Sequence, residues 1–259
     1  MKLKYILTIV CSILTGLSAS AQFVNFPSEG VIQFEKRVNM FAIFKRAINK
    51  DNESYMQMAF DQYKKTQPQF KTLKSTLSFS SGATLYTPQP DQQAAGQNFM
   101  SFHPAASQPN TTYIDLNSRT FITQKNIFEQ NFLVKDSIRN IKWKITDETR
   151  EIAGYHCRRA NAIVMDSIYV VAFYTDKIPV SGGPESFTGL PGMILGVALP
   201  HENITWFATS VTEKSGHAAT IKPPTKGKPQ TNTELKKTVE NSMKDWGAIG
   251  KEALKPIML

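Results

Sequence analysis

The chain has 259 residues, enough for one large domain or two small ones. Its apolar share of 41% and charged share of 20% are those of an ordinary globular protein, which excludes a wholly disordered chain, a collagen and a multi-span membrane protein. The formal charge is +9, and two cysteines are too few for a disulfide-stapled scaffold.

The first 21 residues read as an export signal. Lys2 and Lys4 give a positive start, and Tyr5 to Leu17 is apolar apart from Thr8, Ser12, Thr15 and Gly16. Ala19-Ser20-Ala21 then offers small residues where a signal peptidase cuts. The apolar run is shorter than a membrane span needs. Cleavage after Ala21 is expected to leave 238 residues with a charge of +7, in the periplasm or secreted. Cys11 lies within the apolar run, away from the cleavage point, which argues against a lipid-modified N-terminus. Cys157 is then the single cysteine, expected to be a buried thiol without an internal disulfide. No later apolar run is long enough to span a bilayer.

Val31 to Val38 puts Ile32, Phe34 and Val38 on one face, and Lys36 breaks that face. Asp51 to Thr66 reads as a helix, capped by Asp51 and closed by Pro68. Leu73, Leu77 and Phe79 alternate with polar residues as in a half-buried strand. Pro88 to Asn110, rich in Pro, Gln, Ala and Ser, reads as a long exposed loop. Strands follow at Thr111 to Leu116 and Arg119 to Gln124, turning at Asn117-Ser118, and again at Ile127 to Val134. Ile141, Trp143 and Ile145 alternate with Lys142, Lys144 and Thr146, the clearest period of two in the chain. A turn at Ala153-Gly154 leads to Tyr155 to Val164. The segments Ile168 to Tyr174 and Ile204 to Val211 are apolar on both faces, so both are expected to be covered centrally. Gly216 to Asn232 reads as a surface loop. Glu234 to Trp246 reads as a C-terminal helix, with Leu235, Val239, Met243 and Trp246 at helical spacing.

Short consecutive strands with few helices predict one mainly β (α+β) domain over 22–259. The expected form is a curved antiparallel sheet or half-barrel with one or two covering helices.

The stretch Thr175 to Leu195 resembles the signature of the GLPGLI family of exported Bacteroidota proteins. The hexapeptide reads Gly189-Leu190-Pro191-Gly192-Met193-Ile194, with Met in place of the second Leu. Trp143 to Thr149, Ile152 to Ala160 and Phe173-Tyr174 are similar to the same pattern. The resemblance implies an exported β-rich protein and implies no reaction. Pro179 and Pro184 stiffen the segment, while Gly182-Gly183 permits positive φ. Gly189 and Gly192 flank Leu190-Pro191, where a tight turn would deliver Met193 into a strand. Two readings stay open: a binding loop at the rim of the sheet, with Ile178 and Phe187 among its residues, or a structural loop whose glycines satisfy backbone geometry.

Candidate chemistry is sparse. His103, His156, His201 and His217 lack ligand-pair spacing, and His156 and Cys157 point to opposite faces of a strand. No Gly-x-Ser-x-Gly elbow and no phosphate-cradling glycine loop occur. Asp147, Glu148 and Glu151 are expected as solvated charge near a hairpin. No catalytic residue, metal ligand or cofactor is assigned, and the scattered lysines do not form a nucleic-acid surface. Two functions from different classes are therefore expected. One is a periplasmic carrier for a hydrophobic ligand or lipid, its Phe and Met residues lining a cavity with Ile178 to Met193 near the mouth. The other is an envelope protein that docks to an outer-membrane or secreted partner.

Overall fold

The computed structural model describes residues 26–91, 100, 103–107 and 109–259. The export signal and nearly half of the 88–110 segment lie outside them. Twelve strands form one open sheet: β1 (Gly30–Asn39), β2 (Phe70–Phe79), β3 (Ala83–Pro88), β4 (Thr111–Asp115), β5 (Thr120–Ile127), β6 (Gln130–Ser137), β7 (Lys144–Ile152), β8 (Tyr155–Val164), β9 (Ile168–Thr175), β10 (Met193–Leu199), β11 (Ile204–Glu213) and β12 (Lys228–Gln230). Their order is β12-β6-β5-β4-β3-β2-β1-β11-β10-β9-β8-β7. Every pair is antiparallel except β12 with β6. The protein is mainly β. The strand β1 joins two meanders, pairing with β2 on one side and β11 on the other.

Tight turns set the meanders. Ala153-Gly154 joins β7 to β8 with both residues at positive φ, the twist-matched geometry of a two-residue hairpin. Phe128-Glu129 does the same between β5 and β6, and divides the segment expected as one strand from Ile127 to Val134. At its far end the sheet rolls back on itself. The Arg150 guanidinium stands 4.6 Å from the Phe207 ring centroid, and Ile152 closes over Gly196.

Helices α1 (Met40–Ala47) and α2 (Glu53–Thr66) pack Phe44 against Phe60 and Tyr63, with ring centroids 5.2 and 5.3 Å apart. Asn52 rather than Asp51 precedes α2. The short α3 (Pro104–Ser107) buries Ala105 and Ala106, and Met100 and Asn110 are also buried. Among its described residues the 88–110 segment is therefore packed into the fold at Met100, Ala105, Ala106 and Asn110 and exposed at Gln89, Pro90, Ser107 and Pro109. Helices α4 (Asn232–Ser242) and α5 (Gly247–Met258) cover β4 to β6, burying Leu235, Val239, Met243 and Ile257 against Ile114, Phe132 and Val134. A Thr231/Glu234 capping box starts α4 two residues before the expected helix.

Four further expectations need correction. Trp246 is half-exposed and stacks on Phe128 at 5.6 Å, because the chain turns at 244–246 before α5. The 216–232 segment contributes β12 to the sheet edge. Strand β9 is buried along both faces, but β11 is exposed at Thr209-Ser210, where no described element packs over it. Asp147, Glu148 and Glu151 are exposed charge beside the β7–β8 hairpin, as expected, and lie within the edge strand β7, where Glu148 pairs with Arg159 and Glu151 with His156. Ile141 and Trp143 precede that strand and are held by side-chain packing instead.

Candidate functional site

The segment between β9 and β10, residues 176–192, crosses the inner face of the sheet. Its ends are pinned by backbone bonds, Met193 N–H to the Ile178 carbonyl at 3.0 Å and Ile194 N–H to the Gly182 carbonyl at 2.8 Å. Ile178, Gly182, Gly183, Pro184, Phe187, Leu190, Gly192 and Met193 are buried, while Pro179, Gly189 and Pro191 are exposed. A Cβ on Gly182 would meet the Thr84 methyl of β3 at 2.7 Å, so the loop reaches across to the first meander. Trp143 Nε1 donates to the Thr188 carbonyl at 2.9 Å and holds the outer bend.

At the centre of this crossing stands Glu185, only 4% exposed and in the left-handed region at φ 53°. A non-glycine residue held there stores about 1 kcal/mol or more of strain. Its Oε2 accepts from Asn110 Nδ2 at 3.2 Å, and its Oε1 lies 3.9 Å from Lys36 Nζ. That separation is an ion pair without a direct hydrogen bond. Lys36, 8% exposed, places its ammonium 5.0 Å from the Trp206 ring centroid. Burial lowers the Lys36 amine pKa, and Glu185 partly opposes this. The Tyr86 hydroxyl pKa is raised well above its ordinary value, chiefly by burial and then by Glu185. Ser75 and Trp206 lie beside it. Thr84 Oγ1 and Asn110 Oδ1 are buried without a hydrogen-bond partner in the protein, while Ser75 Oγ and Trp206 Nε1 are buried with only the Tyr86 hydroxyl to share.

These buried polar groups form a basin within the core that continues past Asn110 to Thr123 and Lys125, beneath α4 and α5. Lys125 Nζ donates to the Ile257 carbonyl at 2.7 Å, and Thr123 to Thr112 at 3.1 Å. Burial lowers Lys125 to about 8 from 10.5, with Glu185 opposing and Arg139 adding to the shift. Below pH 8 both folded and unfolded chains carry this charge, and the folded one bears a net electrostatic cost of about 3 kcal/mol. Between pH 8 and 10.5 the unfolded chain holds a proton that the folded chain has released, so stability rises with pH. The Cys157 thiol works in the opposite direction, because burial pushes it up to about 12 from 9.0. The difference between wild type and Lys125→Met isolates the lysine. In urea unfolding, wild type is expected to gain about 2 kcal/mol on the variant from pH 7 to pH 10. Parallel pH curves for the two proteins would remove Lys125 as the cause.

The same thiol is fully buried and donates to the Tyr155 carbonyl at 3.3 Å, which withholds it from nucleophilic chemistry. Among the described residues no three His, Cys, Asp or Glu side chains gather as metal ligands, and no helix is long and apolar enough to cross a membrane. Sequence reasoning singled out the loop's glycines and apolar residues, most of which pack as core, and passed over Lys36, Asn110, Lys125 and Glu185. The break that Lys36 makes in an apolar strand face was the one available signal.

Residues 162–196, running from β8 through the loop into β10, match a family model described as "Protein of unknown function (Porph_ging)". No curated protein matches the sequence. Two solved structures of PNGF-II, in space groups P21 and C2, are similar in fold. Both superpose with a TM-score of 0.51, at 15% and 14% identity, over 83% and 81% of this chain. The matched region covers 34% and 32% of the PNGF-II chains, so this chain spans about a third of their length. At such identity the likeness is one of fold.

Proposed function

We propose that the chain is an exported binding module of the GLPGLI type, working in the periplasm or outside the cell, and that the basin beneath residues 178–193 receives its ligand. One observation carries this reading. Two buried polar side-chain atoms without partners, Thr84 Oγ1 and Asn110 Oδ1, lie in the same cluster as the loosely spaced Lys36–Glu185 pair. Each such atom costs about 1–3 kcal/mol when left unpaired. A ligand that brings both donors and acceptors removes that cost. A lipid or other hydrophobic ligand suits the basin when it carries a polar head, since Phe34, Phe79, Phe187 and Trp206 already fill one another's space as core.

Solvent extraction of the purified protein, followed by refolding, tests the reading. Removal of the bound molecule is expected to lower the melting temperature by several degrees, and returning the extract to restore it. An extract with no effect on the melting temperature would move the weight to the second expected function, docking to an envelope partner.

A further inference from the structure

The last turn of α5 is held by three donors from distant parts of the chain. Lys125 of β5, Arg139 beyond β6 and Ser186 of the crossing loop donate to the main-chain oxygens of Ile257, Met258 and Leu259, at 2.7, 3.2 and 2.9 Å. These are main-chain oxygens that a helix leaves unsatisfied at its C-terminal end, where its dipole is negative. The three donors thus already face an oxygen-rich, partly negative group. Beside them lies a cavity of about 20 Å3, room for about one water, whose lining includes Asn110, Thr123, Lys125, Arg139 and Ser186. Two of its groups are incompletely used. Arg139 Nη1 is buried without a partner although Nη2 is bonded, and Asn110 Oδ1 has none. A guanidinium fork is matched by two oxygens on one group, which a single carbonyl does not supply.

We propose that this cavity is an oxyanion site, taking a carboxylate or phosphate group in exchange for the last turn of α5. Arg139 grips two oxygens of the group, Lys125 supplies charge, and Asn110 Oδ1 accepts a hydrogen that the ligand itself carries. Hydrogen phosphate brings that hydrogen on its own oxygen. A 2-hydroxy carboxylate brings it on the hydroxyl oxygen of the neighbouring carbon. The inference rests on the basin being the ligand site and specifies the polar group of that ligand. Because the cavity is smaller than such a group, entry requires the α5 main-chain oxygens to leave, so binding and release of α5 are one event.

The test titrates the mature 22–259 protein with sodium phosphate and with lactate, against chloride at constant ionic strength, and follows amide hydrogen exchange in residues 252–259. One of the two anions is expected to bind saturably and to speed exchange there at least tenfold. Which anion does so separates a phosphate from a carboxylate ligand. Arg139→Gln is expected to weaken binding at least tenfold. Ser186→Ala, which loosens α5 without touching the cations, is expected to tighten it several-fold. Binding unchanged by both variants would mean an adventitious ion only and overturn the site. Binding without faster exchange would overturn the release of α5. If neither anion binds while the extracted molecule still raises the melting temperature, the oxyanion inference fails and the binding function stands.

Discussion

Replacing Glu185 with leucine is expected to destabilise the protein by about 3 kcal/mol at neutral pH. The change leaves the buried Lys36 ammonium without its ion-pair partner among the described residues and strips Asn110 Nδ2 of its acceptor. The amine can escape part of that cost by releasing its proton, so the loss is expected to shrink as the pH rises. Adding Lys36→Met removes the stranded charge, and the double variant is expected to recover most of the stability, a coupling of about 2 kcal/mol between the two positions. Urea unfolding of the four proteins in the cycle measures it. Losses that simply add would show that the two side chains do not work as a pair.

A comparable loss, on the order of 4 kcal/mol or failure to fold, is expected from Gly192→Ala. Two costs combine here. The residue sits at φ 150°, where a side chain is strained, and the new Cβ would lie 2.1 Å from the Thr175 carbonyl oxygen and 2.8 Å from its carbon. Both are main-chain atoms of β9, so neither can swing aside. Gly189→Ala is the control within the same hexapeptide. Its φ of 97° is also left-handed, but the nearest atom is 3.5 Å away, on the Trp143 ring, so only the backbone strain of about 1–2 kcal/mol applies. Soluble yield and urea midpoints of the two variants separate the cases. Equal midpoints would mean that the crossing loop does not approach β9 as described.

This contrast explains why the hexapeptide is so visible in the sequence while the basin is not. Gly192 is required by one backbone contact, and glycine is the only residue that meets it, so the requirement appears as a letter in the chain. Glu185 and Lys36 meet only after β1 and the crossing loop have been brought together, and no local pattern marks a pair so far apart in sequence. The strands show the same division. β1, β8 and β9 carry their alternation or apolar run locally and lie close to where the sequence places them. The β5–β6 turn uses Phe128-Glu129, which carry no turn signal, and its positive φ values are imposed by the ladder on either side. Helix α5 contains Gly250 and Pro256, both unfavourable in a helix interior. It forms because Lys125, Arg139 and Ser186 satisfy its last main-chain oxygens and because Ile257 and Met258 are buried under β4 to β6. Those are tertiary contributions, and a window of sequence does not contain them.

The central claim is that the basin holds a ligand rather than serving only as polar core. Native mass spectrometry of the 22–259 protein, purified gently under native conditions and set beside the Lys36→Met/Glu185→Leu double variant, tests it most directly. The account predicts excess mass on the wild type that solvent extraction removes, and its absence from the folded double variant. A bare wild-type mass, or the same excess on both proteins, would contradict it.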